Sequence, residues 1–136
     1  MMKKIVGMFV FSISIVFVLS GCTSNITPTL QGAYQNENVD GYIVQMAFQL
    51  EEKSFVEYID NREVDKGSYE KLENDVYKIY GELQEFEIKL NSDNTFDIIV
   101  KKLNNGKPFK MKNFDITPVY IGTEFDDVEE FKALLK

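Results

Sequence analysis

The chain has 136 residues, with 15 Lys and Arg against 22 Asp and Glu, a net charge of −7, no His, no Trp and one Cys. Without His, the Ser-His and Cys-His nucleophile pairs and the usual zinc ligand sets cannot be built, and a lone Cys leaves no internal disulfide. The acidic balance argues against nucleic acid as a partner.

Lys3 and Lys4 precede the uncharged run Ile5 to Leu19, in which serine is the only polar type. Fifteen residues suit the apolar core of a signal peptide and fall short of the ~20 that a spanning helix needs. The run ends in Leu19-Ser20-Gly21-Cys22, which resembles the lipobox of bacterial lipoproteins. That resemblance covers residues 1–22 and implies cleavage between Gly21 and Cys22. It also implies thioether lipidation of Cys22 by a diacylglyceryl group, the only non-protein group expected. Two acyl chains hold a protein stably on a membrane where one does not. The expected mature protein is therefore lipid-anchored on the extracytoplasmic face of the cell membrane. Usage rich in Lys, Asn and Ile inclines the source toward a Gram-positive bacterium. In a Gram-negative one, Thr23 in place of Asp would point to the outer membrane. Cleavage removes Lys3 and Lys4 and no acid, so the mature charge becomes −9.

Residues 22–30 read as a short polar tether and residues 31–136 as one domain. Within it the apolar residues recur at period two. Tyr42, Val44, Met46, Phe48 and Leu50 share one face, and Phe86, Ile88 and Leu90 alternate with Glu85, Glu87 and Lys89. This is the pattern of antiparallel strands with one dry face. SFVEYID, REVDKGSYE and DVYKIYG predict further strands, separated by turns at Asp60-Asn61, Glu73-Asn74 and Gly81-Glu82. Phe86 to Leu90, the turn Asn91 to Asn94 and TFDIIVKKL make a hairpin, and Asn104-Asn105-Gly106 predicts a tight turn into PFKMKNF. Strand starts about ten residues apart predict a mainly β domain, an up-and-down meander of seven or eight strands, closed into a barrel or packed as a small sandwich. The period then changes. Phe125, Val128, Phe131, Leu134 and Leu135 form a helical stripe, so residues 124–136 predict an amphipathic helix with Asp126 and Glu129 as a capping box.

Leu30-Gln31-Gly32-Ala33-Tyr34 before the first predicted strand is similar to the Gly-x-aromatic entry of lipocalin-like (calycin) barrels, with Tyr34 where Trp is usual. The meander and late helix are also similar to small lipocalin-like lipoproteins of Gram-positive bacteria. The absence of Trp, the short domain and the lack of a strand after the helix depart from that pattern.

No catalytic constellation is legible, and the chain is not expected to be an enzyme. Ser54, Ser68 and Ser92 sit in no nucleophile elbow. Glu51-Glu52 reads as a solvated turn, and Asp93, Thr95 and Asp97 lack the Gly and closing Glu of a calcium loop. A basic cluster, Lys101, Lys102, Lys107, Lys110 and Lys112, reverses the sign of the domain locally. It reads either as a patch for an anionic partner or as the outer face of an edge hairpin. The aromatic faces, Tyr42, Phe48, Phe55, Tyr58, Tyr69, Tyr77, Tyr80, Phe86, Phe96 and Phe109, line a ligand cavity or fill a core. The expected function is non-enzymatic binding of a small apolar or amphipathic ligand, or a peptide, near the membrane. The alternatives are an immunity lipoprotein that intercepts a cationic lantibiotic-type bacteriocin, and an accessory protein that binds another envelope protein.

Overall fold

The computed structural model describes residues 27–136. Cys22, the signal peptide and most of the tether lie outside the described residues. Eight antiparallel strands follow in order: β1 (Gly32–Gln35), β2 (Val44–Gln49), β3 (Ser54–Ile59), β4 (Arg62–Lys71), β5 (Val76–Gly81), β6 (Glu85–Lys89), β7 (Thr95–Ile98) and β8 (Phe109–Asp115). They form one sheet in the order β6-β5-β4-β3-β2-β1-β8-β7. Apart from β6 and β7, strands adjacent in the chain pair with each other, and β8 returns to β1, so the sheet curls into a nearly closed barrel. The seam without a ladder lies between β6 and β7, which are joined by the short connection Leu90 to Asn94. There Leu90 N–H donates to Asp75 O and Asn91 N–H to Thr95 O.

Period two accounts for the barrel wall. Val44, Met46 and Phe48 point inward and are buried, whereas Gln45 and Gln49 are half-buried on the outer face. The interior is filled with rings. Tyr34 lies 4.9 Å from Phe96 and 5.7 Å from Phe48, Phe48 lies 5.2 Å from Tyr69, and Tyr69 lies 6.2 Å from Tyr77. Each buried side chain of this size contributes about 1.5–3 kcal/mol, which lets the domain stand without a disulfide. Asp60 and Asn61, both at positive φ (47° and 71°), make the two-residue turn between β3 and β4. Asn74 and Asp75 do the same between β4 and β5 (58° and 63°).

An up-and-down barrel has two distinct ends. The chain enters at one, beside the β2–β3, β4–β5 and β6–β7 turns and the end of β8. The β1–β2, β3–β4, β5–β6 and β7–β8 connections lie at the other, which the C-terminal helix covers. From Asp115 the chain leaves the entry end as an extended strap and climbs the outside of the barrel, where Ile121 N–H donates to Tyr58 Oη at 3.2 Å. This cover explains why Tyr58 is buried on the outer face of β3.

Four sequence expectations change. The expected hairpin of Phe86 to Leu90 with TFDIIVKKL does not form, because β6 is taken by β5 and β7, which ends at Ile98, by β8. Gly32 to Gln35 is itself a strand and not only an entry motif, with Gly32 at φ +88° where a Cβ would run into the Asp115 carbonyl. Asn104 to Gly106 is not a tight hairpin turn. It is a 3₁₀ turn inside a longer connection from Ile99 to Pro108, because Val100 and Leu103 are buried and pull that loop over the barrel end. The helix spans only Val128–Lys132 (α1), followed by a 3₁₀ turn Ala133–Leu135. No side-chain capping bond forms at its N-terminus, because Asp127 instead binds Arg62 through both carboxylate oxygens, at 3.0 and 2.9 Å. The Arg62 guanidinium sits between the Phe125 and Phe131 rings, 4.0 and 4.5 Å from their centroids. Phe125 therefore belongs to the strap's contact with Arg62 and not to a helical stripe. Phe131 and Leu134 pack against the core, Leu135 enters it, and Gln84 and Lys102 bond the carbonyls of Leu135 and Leu134.

Candidate functional site

The aromatic interior is a core, and the openings lie on the surface. At the entry end a pocket of about 180 Å³ is lined by Thr29, Leu50, Lys53, Tyr69, Glu70, Lys71 and Tyr77. Tyr69 and Tyr77 clasp the backbone of Leu30. Tyr69 Oη donates to Leu30 O at 3.0 Å, and Leu30 N–H donates to Tyr77 Oη at 3.2 Å. Both buried backbone groups of Leu30 are thereby satisfied where the chain passes into the barrel. Burial, with lesser contributions from Tyr77 and Tyr120, pushes the Tyr69 hydroxyl up to about 12. It stays neutral near pH 7 and serves as a hydrogen-bonding group, not a base.

At the opposite end a groove of about 380 Å³ runs between the strap and α1, lined by Glu63, Ile121, Gly122, Thr123, Glu124, Phe125, Val128 and Lys132. A third opening, about 230 Å³, lies between Asn36, Glu37, Val39 and the β8 residues Phe109, Lys110 and Lys112.

The lysine cluster is split. Lys110 and Lys112 project from the outer face of β8, while Lys101, Lys102 and Lys107 lie in the loop at the helix-covered end. Acids dilute the first pair. Lys112 reaches Glu37 at 3.4 Å, and Lys110 pairs in register with Asp97. The Asp93, Thr95 and Asp97 stretch is the connection into β7 and the start of that strand: Thr95 Oγ1 donates to Asp93 Oδ1 at 2.6 Å, and that bond holds the Asp93 carboxyl below its usual range. The described residues hold no group of three or more Cys, His, Asp or Glu able to bind a metal.

Glu57, which no sequence motif singles out, is the most unusual group. It faces the interior between Phe55 and Ile59, is 1% exposed, and neither carboxylate oxygen has a hydrogen-bond partner. Burial, reinforced by the charge of Asp65, pushes its carboxyl up from 4.5 to about 8. Strand alternation offered the signal, because period two puts Glu57 on the apolar face of SFVEYID. Asp65 reaches the interior through a register shift between Glu57 and Tyr58, which alternation alone does not reveal.

No family model matches the sequence, and no curated protein or solved structure matches it.

Proposed function

We propose that this chain is a lipid-anchored extracytoplasmic lipoprotein that binds a small amphipathic ligand or a peptide near the membrane surface, without chemistry. The observation that best supports this is the position of the pocket under Leu50, which opens beside Leu30 at the end where the chain enters. Cys22 precedes Thr27 by five residues, a reach of at most about 18 Å when extended. If Cys22 carries the lipid, the pocket opens close to the bilayer. Whole-ligand sites generally run to about 300–1,000 Å³. A volume of about 180 Å³ instead suits one apolar side chain or the end of an acyl chain.

The interior favours the same reading, since Tyr34, Phe48 and Phe96 occupy the space where a barrel-held ligand would sit. Mass spectrometry of membrane-extracted protein, compared with a Leu50→Trp form designed to fill the pocket, provides the test. The expected result is diacylglyceryl on Cys22 and a bound amphipathic species that Leu50→Trp loses. An unmodified Cys22 removes the anchor, and a bound species indifferent to Leu50→Trp removes the pocket.

A further inference from the structure

Among the described residues, the large apolar side chains left exposed are Leu50, Leu72, Leu83, Ile99, Phe114, Ile116, Val119 and Tyr120. They are unevenly placed. Leu50 and Leu72 lie in turns at the entry end, and Phe114 and Ile116 stand where β8 leaves it. Tyr120, a little further along the strap, feels the charge of Glu52 in the β2–β3 turn. Only Leu83 and Ile99 belong to the opposite end.

The same end carries exposed acids: Glu51 and Glu52 beside Leu50, Glu73 beside Leu72, Asp93 in the β6–β7 turn and Asp115 beside Ile116. Against them stand Lys53 and Lys71, which line the pocket, and Lys89 at the end of β6, while Lys110 acts on Asp93 and Lys71 is drawn toward Asp75 at 3.9 Å. An apolar rim set among carboxylates that outnumber the lysines repels an anionic bilayer and attracts a partner with apolar groups and positive charge together.

We infer that the entry end of the barrel is a docking surface for a cationic amphipathic peptide, one of whose apolar side chains enters the pocket over Tyr69 and Tyr77. Its basic residues face Glu51, Glu52 and Glu73. This rests on the binding reading above and names its partner class. Complementary charge speeds encounter and selects the partner, while the apolar contact supplies the residence time.

The test uses the full chain reconstituted in bilayers of zwitterionic lipid, with the state of Cys22 read by mass spectrometry on the same sample. The probe is a designed amphipathic helix of leucine and lysine, with its leucine and glutamate counterpart as control. The expected result is saturable binding of the basic probe only, weakened at least about tenfold by joint Glu51→Lys, Glu52→Lys and Glu73→Lys substitution. Equal reversal of Glu124, Glu129 and Glu130 at the far end should leave binding within about twofold. If both triple variants lose binding equally, net charge alone attracts the probe and the proposed surface is wrong.

A fluorophore on Ile116→Cys reports the competing occupant. Quenching by brominated lipid in the absence of peptide would show that this end lies in the bilayer, and would overturn the proposal. Lipidated Cys22 without probe binding removes the docking surface and leaves the anchor. Unmodified Cys22 with probe binding that the entry-end reversal weakens removes the anchor and leaves the docking surface.

Discussion

Glu57 and Asp65 stand opposite each other across the β3–β4 ladder inside the barrel, one without any hydrogen-bond partner and the other with four. Asp65 accepts the backbone N–H groups of Lys66, Glu82, Leu83 and Gln84 at 2.7–3.1 Å. The arrangement holds one carboxylate in place with fixed dipoles and leaves its neighbour to offset the cost of burial by keeping a proton.

The first prediction concerns pH. An acid whose carboxyl is raised from 4.5 to about 8 on folding binds more protons in the native state than in the unfolded one between those values. Its contribution therefore lowers stability as pH rises through that window and levels off above it. Glu57→Gln should remove this slope and make the protein more stable than wild type by a few kcal/mol at pH 9, with little difference at pH 4. Urea midpoints across that range measure it. A difference between the two proteins that is independent of pH would show that Glu57 does not titrate in this window.

Asp65→Asn tests the other half of the pair. The amide keeps one acceptor oxygen but loses the charge, and it brings an NH₂ donor toward the N–H groups of the β5–β6 turn. A loss of roughly 2–4 kcal/mol is expected, because several buried donors are left poorly satisfied. Removing the Asp65 charge should also draw the Glu57 transition to lower pH, readable by carboxyl NMR. A Glu57 titration unmoved by Asp65→Asn would mean that burial alone sets it.

Arg62 anchors the C-terminal segment by a bidentate pair with Asp127 and by stacking between two rings. Lysine has neither the fork nor the flat face. In Arg62→Lys, amide exchange across Val128 to Leu135 should quicken by about one order of magnitude, with the strands little affected. Equal acceleration in β2 and β3 would show that the segment is not a separate opening unit.

Tyr34 joins the ring cluster to the β6–β7 turn, donating to Asn94 Oδ1 at 2.6 Å. Tyr34→Phe should cost about 1 kcal/mol for the lost bond. Tyr34→Ala should cost about 3–5 kcal/mol for the cavity. Equal losses in the two variants would mean that the bond matters and the packing does not.

The meander was readable because its strands obey one local rule for five or six residues at a time. Val44, Met46 and Phe48 announce their face, and Asp60-Asn61 announces its turn. What escaped depends on residues far apart in the chain. β1 is only four residues long and exists because β2 and β8 flank it. The helix is shorter than its stripe because Asp127 is taken by Arg62, 65 residues away. At the entry end, Leu50 reads as a core residue by alternation yet is exposed, because it lies past the last ladder pair, Gln49 with Ser54. The acidic turns were visible as turns, but their gathering at one end follows only from the up-and-down topology.

The entry geometry also bears on mechanics. A pull on the chain ahead of Thr27 reaches the fold at Leu30, where the two tyrosine hydroxyls grip the backbone, and then runs along β1. That strand is flanked on both sides, by β2 and by β8, so the load meets two ladders in shear, with many bonds resisting together. A pull along an edge strand such as β6 would meet only one ladder, the one it shares with β5. The chain thus enters the domain through a strand suited to bearing tension from that direction.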